Sequence, residues 1–288
     1  MAMITVDKDS LGQPVELYCE DVGHGPPVVF VHGWPFGLGM WESQRCALVN
    51  GGCRVITYDQ RGFGASSKPL HGYHYNQLTD DLRVLLDTLD LQDVILVGFS
   101  MGAAEVVYYM SRNFGQRVRQ VALISSVTPR LPANDFVEMA LPGMRELVAG
   151  THPEPKVLAE PIAHRMFAGA TPSMSRGMAA EWAARLAAAP ASAMALSDTA
   201  QAMQETDLTS AMPSIEHVPT LLIHGTRDHV APFEANAVQT SRMLPDCHFK
   251  PYEDAPHGLF ATHAERLNED LLKFIHEPPA YVLPRAMP

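Results

Sequence analysis

Apolar residues fall along the chain in short unbroken runs: Val28-Val-Phe-Val31, Arg54-Val-Ile-Thr-Tyr58, Val94-Ile-Leu-Val97, Val121-Ala-Leu-Ile124 and Leu221-Leu-Ile223. Runs of this length, rich in β-branched residues, predict strands covered on both faces, as in a parallel sheet. Residues 2–7 and 14–20 alternate instead and predict an opening hairpin. Cys247-His-Phe-Lys-Pro-Tyr252 is more polar and contains Pro251, which has no N–H for a ladder, so it predicts an edge strand. Between the runs, Leu78, Leu82, Leu85, Leu86 and Leu89 recur at helical spacing, as do Leu267, Leu271, Phe274 and Ile275. Alternation of this kind predicts a doubly wound, mostly parallel α/β sheet.

The rhythm breaks between Ile124 and Leu221. Residues 131–214 hold no strand-like run, are dense in Ala and Met, and carry prolines at 132, 142, 153, 155, 161, 172, 190 and 213. Short helices separated by proline stops fit that composition. The segment is too apolar for a linker, and it predicts a helical cap inserted into a core made of residues 1–130 and 215–276. Residues 277–288 are proline-rich and predict an extended tail. Such a tail can drape over the body or over a neighbouring subunit, which leaves room for a homo-oligomer.

Composition narrows the function. Apolar residues make up 47% of the 288, enough to bury a core, and charged residues only 18%, which points away from a disordered chain. With 21 basic against 32 acidic residues the net charge is −11, a sign that repels phosphate backbones, and no basic patch stands against it. Nucleic acid is therefore not an expected partner. The first residues, Met1 to Asp7, show no basic region followed by an apolar stretch, and no run approaches the roughly 18 apolar residues of a membrane helix. The expectation is a soluble, cytoplasmic protein with no signal peptide and no membrane partner.

Cys19, Cys46, Cys53 and Cys247 form no CxxC pair and are expected as buried free thiols. Neither His71/His74, in a Gly- and Tyr-rich stretch that reads as a surface loop, nor His224/His229 has a convincing third ligand. No metal and no cofactor are expected.

The strongest chemical signal is Gly98-Phe-Ser-Met-Gly102, between the Val94–Val97 run and a helical run through Ala103, Ala104, Val106, Val107 and Met110. In strand–turn–helix context a G-x-S-x-G pentapeptide is specific. The turn holds the serine in a strained conformation, and glycines let the neighbouring backbone approach. The hydroxyl then stands beside a helix N-terminus that favours a developing oxyanion. Ser100 is the predicted nucleophile. It needs a base and an orienting acid, which in this architecture follow it in the order acid, histidine. Asp228 sits just past the Leu221–Ile223 strand, whereas the loop after Val121–Ile124 offers no carboxylate. His257, in Asp254-Ala-Pro-His-Gly258, lies in the loop after the last strand. His263 is the nearest rival but falls where the final helix begins. Asp254 and His229 read as solvated neighbours.

An oxyanion hole needs two backbone donors aimed at one point. The N–H of Met101 is one. The loop His32-Gly-Trp-Pro-Phe-Gly37 supplies Trp34 as the other, since Pro35 has no N–H. Pro35 also restricts the backbone of Trp34, whose carbonyl could then accept a hydrogen bond from an incoming peroxide. His32 reads as a structural hydrogen-bonding group holding that loop. Asp59-Gln-Arg-Gly-Phe-Gly64 reads as a turn bracing it from beneath rather than a phosphate cradle, because it lacks the lysine and serine of a P-loop.

His32-Gly-Trp-Pro, Tyr58-Asp-Gln-Arg-Gly-Phe-Gly-Ala-Ser66, Gly98-Phe-Ser-Met-Gly102, Gly225-Thr-Arg-Asp228 and Ala255-Pro-His-Gly258 together resemble the α/β-hydrolase superfamily. Within it they are most similar to the branch of cofactor-free haloperoxidases, perhydrolases and aryl esterases. The chain departs from many relatives in carrying Ala103-Ala104 where a third glycine often follows the elbow, and in its proline-rich tail. The resemblance implies Ser100, Asp228 and His257 as a triad, Trp34 and Met101 as oxyanion donors, and a cap over the site. The expected reaction is hydrolysis of small or aromatic carboxylic esters through an acyl-enzyme, with perhydrolase or haloperoxidase activity beside it. Phe36, Phe99, Met139, Met144, Met166, Met174, Met178, Trp182 and Met194 are candidates for an apolar, adaptable substrate pocket, set against plain packing between cap helices. Cleavage of a C–C bond, lactone or lactam on the same triad stays open, as does a small-molecule receptor with slow turnover.

Overall fold

The structure, a computed structural model, describes residues 1–132, 156–188 and 191–277. Among them, eight strands form one sheet in the order β1-β2-β4-β3-β5-β6-β7-β8. The strands are β1 (Ala2–Lys8), β2 (Pro14–Gly23), β3 (Pro27–Val31), β4 (Arg54–Tyr58), β5 (Val94–Phe99), β6 (Val118–Ile124), β7 (Thr220–Gly225) and β8 (His248–Tyr252). The hairpin β1–β2 is antiparallel and joins β4 antiparallel, while every pair from β4 to β8 is parallel. The doubly wound, mostly parallel sheet predicted from the apolar runs is what forms. All residues of β5 and β7 are buried, and the more polar β8 with its Pro251 is an edge strand.

The helices of this core are α1 (Glu42–Asn50), α2 (Tyr75–Thr88), α3 (Met101–Arg112), α7 (Ala237–Met243), α8 (Leu259–Thr262) and α9 (Ala264–His276). Leu78, Leu82, Leu85 and Leu86 of α2 are buried, as are Leu267, Leu271, Phe274 and Ile275 of α9, so each helical stripe faces the hydrophobic core. The strand β3 leads through α1 toward the β1 edge, whereas β5 leads through α3 toward the β8 edge. Right-handed crossovers running in opposite directions put their helices on opposite faces. Their point of divergence, the crevice beyond the C-terminal ends of β3 and β5, is where a doubly wound sheet binds its ligand.

Between β6 and β7 lie α4 (Lys156–Phe167), α5 (Pro172–Ala188) and α6 (Ala193–Glu205), with no named strand among the described residues of that stretch. Pro172 opens α5 and the Ser192 hydroxyl caps α6 on the Ala195 N–H, as proline and serine do at helix starts. Pro161 departs from the proline-stop expectation, because it sits inside α4. Its ring and missing N–H weaken the ladder without ending a helix held by the buried Ala159, Ile162, Ala163, Met166 and Phe167. A second correction concerns the thiols: all four are free, but Cys46 is exposed and Cys247 only partly covered. His74, in the predicted surface loop, caps α2. Among the described residues no helix is long and apolar enough to cross a membrane.

Candidate active site

Ser100 follows the last residue of β5 and immediately precedes α3, with φ 53° and ψ −116°. That left-handed φ is a strained conformation for a residue with a Cβ. It is tolerated because the surrounding backbone is pinned, with the Ser100 N–H donating to the Ile124 carbonyl at 2.9 Å. The elbow is pressed against the loop after β3. A Cβ at Gly33 would stand 2.5 Å from the Phe99 ring, and one at Gly102 would stand 2.6 Å from the His32 carbonyl oxygen. Only glycine at both positions lets the segments that carry Trp34 and Met101 approach so closely.

His257 comes from the loop after β8 and Asp228 from the loop after β7. His257 Nε2 lies 3.0 Å from Ser100 Oγ, and its Nδ1 lies 2.7 Å from Asp228 Oδ2. The other carboxylate oxygen of Asp228 accepts from the N–H groups of Val230 at 2.8 Å and Ala231 at 2.7 Å. Burial pushes the Asp228 carboxyl up, but the charge of His257 and the hydrogen bonds from His224 and His257 outweigh it and hold the group below the usual carboxylate range. Ser100 is 3% exposed and His257 fully buried, so water reaches the serine poorly.

The bracing residues lie where the sequence reading put them. Gln60 N–H donates to His32 Nε2 at 3.0 Å, so the ring's proton sits on Nδ1, 3.2 Å from the Gly33 carbonyl. Burial lowers the His32 pKa against the pull of Asp59, which suits a neutral structural imidazole. Asp59 accepts from Leu38 N–H at 2.7 Å and Ala65 N–H at 2.8 Å, tying the two loops together. Asp254 and His229 are exposed, Asp254 pairing with Arg227 at 2.7 Å. His263 stands at the N-cap position of α9 without a side-chain capping bond, its Nδ1 lying 2.9 Å from the Thr262 hydroxyl.

An aromatic cluster borders the histidine. Phe99 lies 4.9 Å from the His257 ring and 5.0 Å from Phe260. Phe260 is 4.9 Å from Trp182, which in turn meets Phe36 at 5.4 Å. Phe36, Phe99 and Trp182 of the pocket candidates are therefore brought together. Met166 is buried and Met178 and Met194 are partly buried, whereas Met174 is exposed and Met139 and Met144 lie outside the described residues. Phe260 and Phe167 belong to the cluster and were not singled out in the sequence. The first has a signal there, lying three residues past His257. α6 reaches the loop after β3 as well, because Trp34 Nε1 donates to the Leu196 carbonyl at 3.1 Å. Among the described residues no group of three His, Cys, Asp or Glu side chains is placed to hold a metal ion.

A serine at a strained elbow, an imidazole in hydrogen-bond reach and a buried carboxylate behind it form an arrangement suited to acyl transfer. A family model described as the alpha/beta hydrolase fold matches residues 26–264. The chain is 33% identical to a non-heme chloroperoxidase of Kitasatospora aureofaciens over 91% of its own length and 97% of that protein's. It is 30% identical to a bifunctional esterase/perhydrolase of Acinetobacter calcoaceticus, covering 91% and 96%. The crystal structure of a bromoperoxidase from Bacillus anthracis superposes with a TM-score of 0.82 at 35% identity, covering 96% and 99%.

Proposed function

Because the chain belongs to the alpha/beta hydrolase family of enzymes, we propose that it hydrolyses small carboxylic esters with Ser100, His257 and Asp228 as its triad. The observation that carries this reading is the unbroken line from Ser100 Oγ to His257 Nε2 at 3.0 Å and from His257 Nδ1 to Asp228 Oδ2 at 2.7 Å. Ser100 Oγ attacks the ester carbonyl while His257 Nε2 takes its proton and then passes it to the leaving alcohol. The backbone N–H groups of Trp34 and Met101 receive the oxyanion. Asp228 keeps the proton on His257 Nδ1 and stabilises the imidazolium. Water, activated by His257, then releases the acid. The helices α4, α5 and α6, as the described part of a cap, form the roof, with Phe36, Phe99, Met166 and Trp182 facing an apolar acyl group. The test is steady-state turnover of p-nitrophenyl acetate. Ser100→Ala should lower kcat on the order of 10⁴-fold with the fold retained. A loss under tenfold would reject the triad.

The relatives named as a chloroperoxidase and an esterase/perhydrolase favour a second activity on the same site. Hydrogen peroxide replaces water as the attacker of the acyl-enzyme. The acyl carbon–Oγ bond breaks, the proton returns to Ser100 through His257, and a peracid leaves that can oxidise halide elsewhere. Peracid formation from acetate and peroxide, lost in Ser100→Ala, tests it.

A further inference from the structure

The imidazole of His224, near the C-terminal end of β7, is fully buried. The triad as described above does not use it, and in the sequence it read only as half of an unconvincing metal pair. Its Nε2 lies 2.8 Å from the carbonyl oxygen of Ala231 and 3.1 Å from Asp228 Oδ2. A carbonyl and an ionised carboxylate can only accept, so Nε2 carries a proton, which is directed at the Ala231 carbonyl with Asp228 Oδ2 beside it. Nδ1 is left with a lone pair, and it makes no hydrogen bond with any described residue. The Phe233 ring stands 6.1 Å away.

Asp228 Oδ2 is the same oxygen that meets His257 Nδ1 at 2.7 Å, while Oδ1 is taken by two backbone N–H groups. A carboxylate offers about four acceptor sites, and here three take hydrogen bonds while the polar Nε2 edge of His224 stands 3.1 Å from Oδ2. Ala231 closes the arrangement, because its N–H donates to Asp228 Oδ1 and its carbonyl accepts from His224. A residue serving only to cap the 228–231 turn would need the Ala231 contact alone. The second contact, to the oxygen shared with His257, is what a turn cap does not require.

We infer that His224 is a positioning residue, whose Nε2–H clamps the Asp228 carboxylate in the orientation that holds His257 against Ser100. The inference rests on the triad reading above. Without this donor, Oδ2 keeps one partner and the carboxylate gains freedom to turn, so His257 loses alignment although no substrate contact is removed.

The test compares His224→Gln, whose amide nitrogen reaches the Nε2 position, with His224→Asn, whose amide stops about one bond short. The Asn variant should lose about 10- to 100-fold in kcat for p-nitrophenyl acetate, with KM within about twofold of wild type. The proton on His257 Nδ1 is expected far downfield in the NMR spectrum of the wild type, and it should move upfield or broaden in the Asn variant. The Gln variant should restore both. A purely structural role would lower Tm without moving that resonance. Wild-type kcat and resonance in His224→Asn would overturn the inference, as would a Gln variant as impaired as the Asn one. Should a variant not fold, ¹⁵N-histidine spectra of the wild type still decide: His224 protonated at Nε2 is expected, and protonation at Nδ1 alone would remove the donor and the proposal. Asp228→Asn run alongside separates the two readings. If it is fully active the triad itself fails; if it is inactive while His224→Asn is not, only the role of His224 fails.

Discussion

The backbone N–H of Gly258, the residue after His257, donates to the carbonyl of Met166 at 2.9 Å. The last carbonyls of a helix lack intrahelical donors, so the loop carrying the proposed base satisfies the C-terminal turn of α4. The same region covers the acid loop, since a Cβ at Gly169 would stand 2.6 Å from the Arg227 carbonyl oxygen. Both loops that present the proposed base and acid are thus held by the chain leaving α4.

Gly258→Ala tests that coupling. The new Cβ would stand 2.6 Å from Cδ1 of Phe167, and ring and loop must part. Overpacking of this kind costs about 1–3 kcal/mol, which lowers Tm by about 2–10 °C in a chain of this size. Because the displaced loop carries His257, kcat should fall about tenfold as well. Phe167→Leu should recover part of both losses in the double variant. Strict additivity of the two substitutions, by thermal melts and kcat, would place the strain elsewhere.

His257→Ala and His263→Ala decide which histidine is the base. Only His257 reaches Ser100, while His263 bonds Thr262 at the start of α9. Expected is a loss on the order of 10⁴-fold for the first and activity within about twofold for the second. Equal losses in p-nitrophenyl acetate turnover would remove His257 from its assigned place.

Much of this could be read before the structure, for physical reasons that differ from residue to residue. The runs at Val94–Val97 and Leu221–Ile223 were legible because strands covered on both faces admit almost nothing polar. The convergence of Ser100, Asp228 and His257 was legible because each directly follows a strand or stands in the loop just after one, so sequence position reports position in space. Phe167 and Trp182 were harder. Their partners, Phe36 and Phe260, are far away in sequence, and the Ala-rich helices between β6 and β7 show no sharp apolar stripe to say which side faces the core. His224 was illegible for another reason. It stands in a fully buried strand, where a histidine is most simply a satisfied core residue, and only coordinates reveal that its ring meets Asp228.

Trp182 should govern acyl-chain length. Its ring packs on Phe36 and Phe260 and is covered by the Arg185 guanidinium at 4.8 Å. Replacing it with alanine removes the largest wall of the proposed pocket and opens space for extra methylenes, each worth about 1–3 kcal/mol in a fitted apolar site. The ratio of kcat/KM for p-nitrophenyl octanoate over acetate should rise at least about tenfold. An unchanged ratio would make Trp182 a packing residue between α5 and α8.

Glu105 should make stability fall on the alkaline side. This fully buried carboxyl of α3 accepts the Tyr58 hydroxyl at 3.3 Å, while its other oxygen and the Tyr75 hydroxyl have no hydrogen-bond partner among the described residues. Burial, and after it the charge of Asp81, push its pKa from 4.5 to about 8, against the pull of Tyr58. Between those values the folded chain holds a proton that the unfolded chain has released. Stability therefore falls as pH rises through this window, by up to about 1.4 kcal/mol per pH unit and a few kcal/mol in all. Asp228 acts in the opposite sense: its lowered pKa contributes stability above the ordinary value of 3.8 that is lost as pH falls below it. Glu105→Gln keeps the shape of the protonated acid and removes the titration. Urea unfolding at pH 5 should give the variant and the wild type nearly equal stability, and at pH 8 the variant should be the more stable by a few kcal/mol. A difference that stays constant across the range would mean that Glu105 does not hold a proton in the fold.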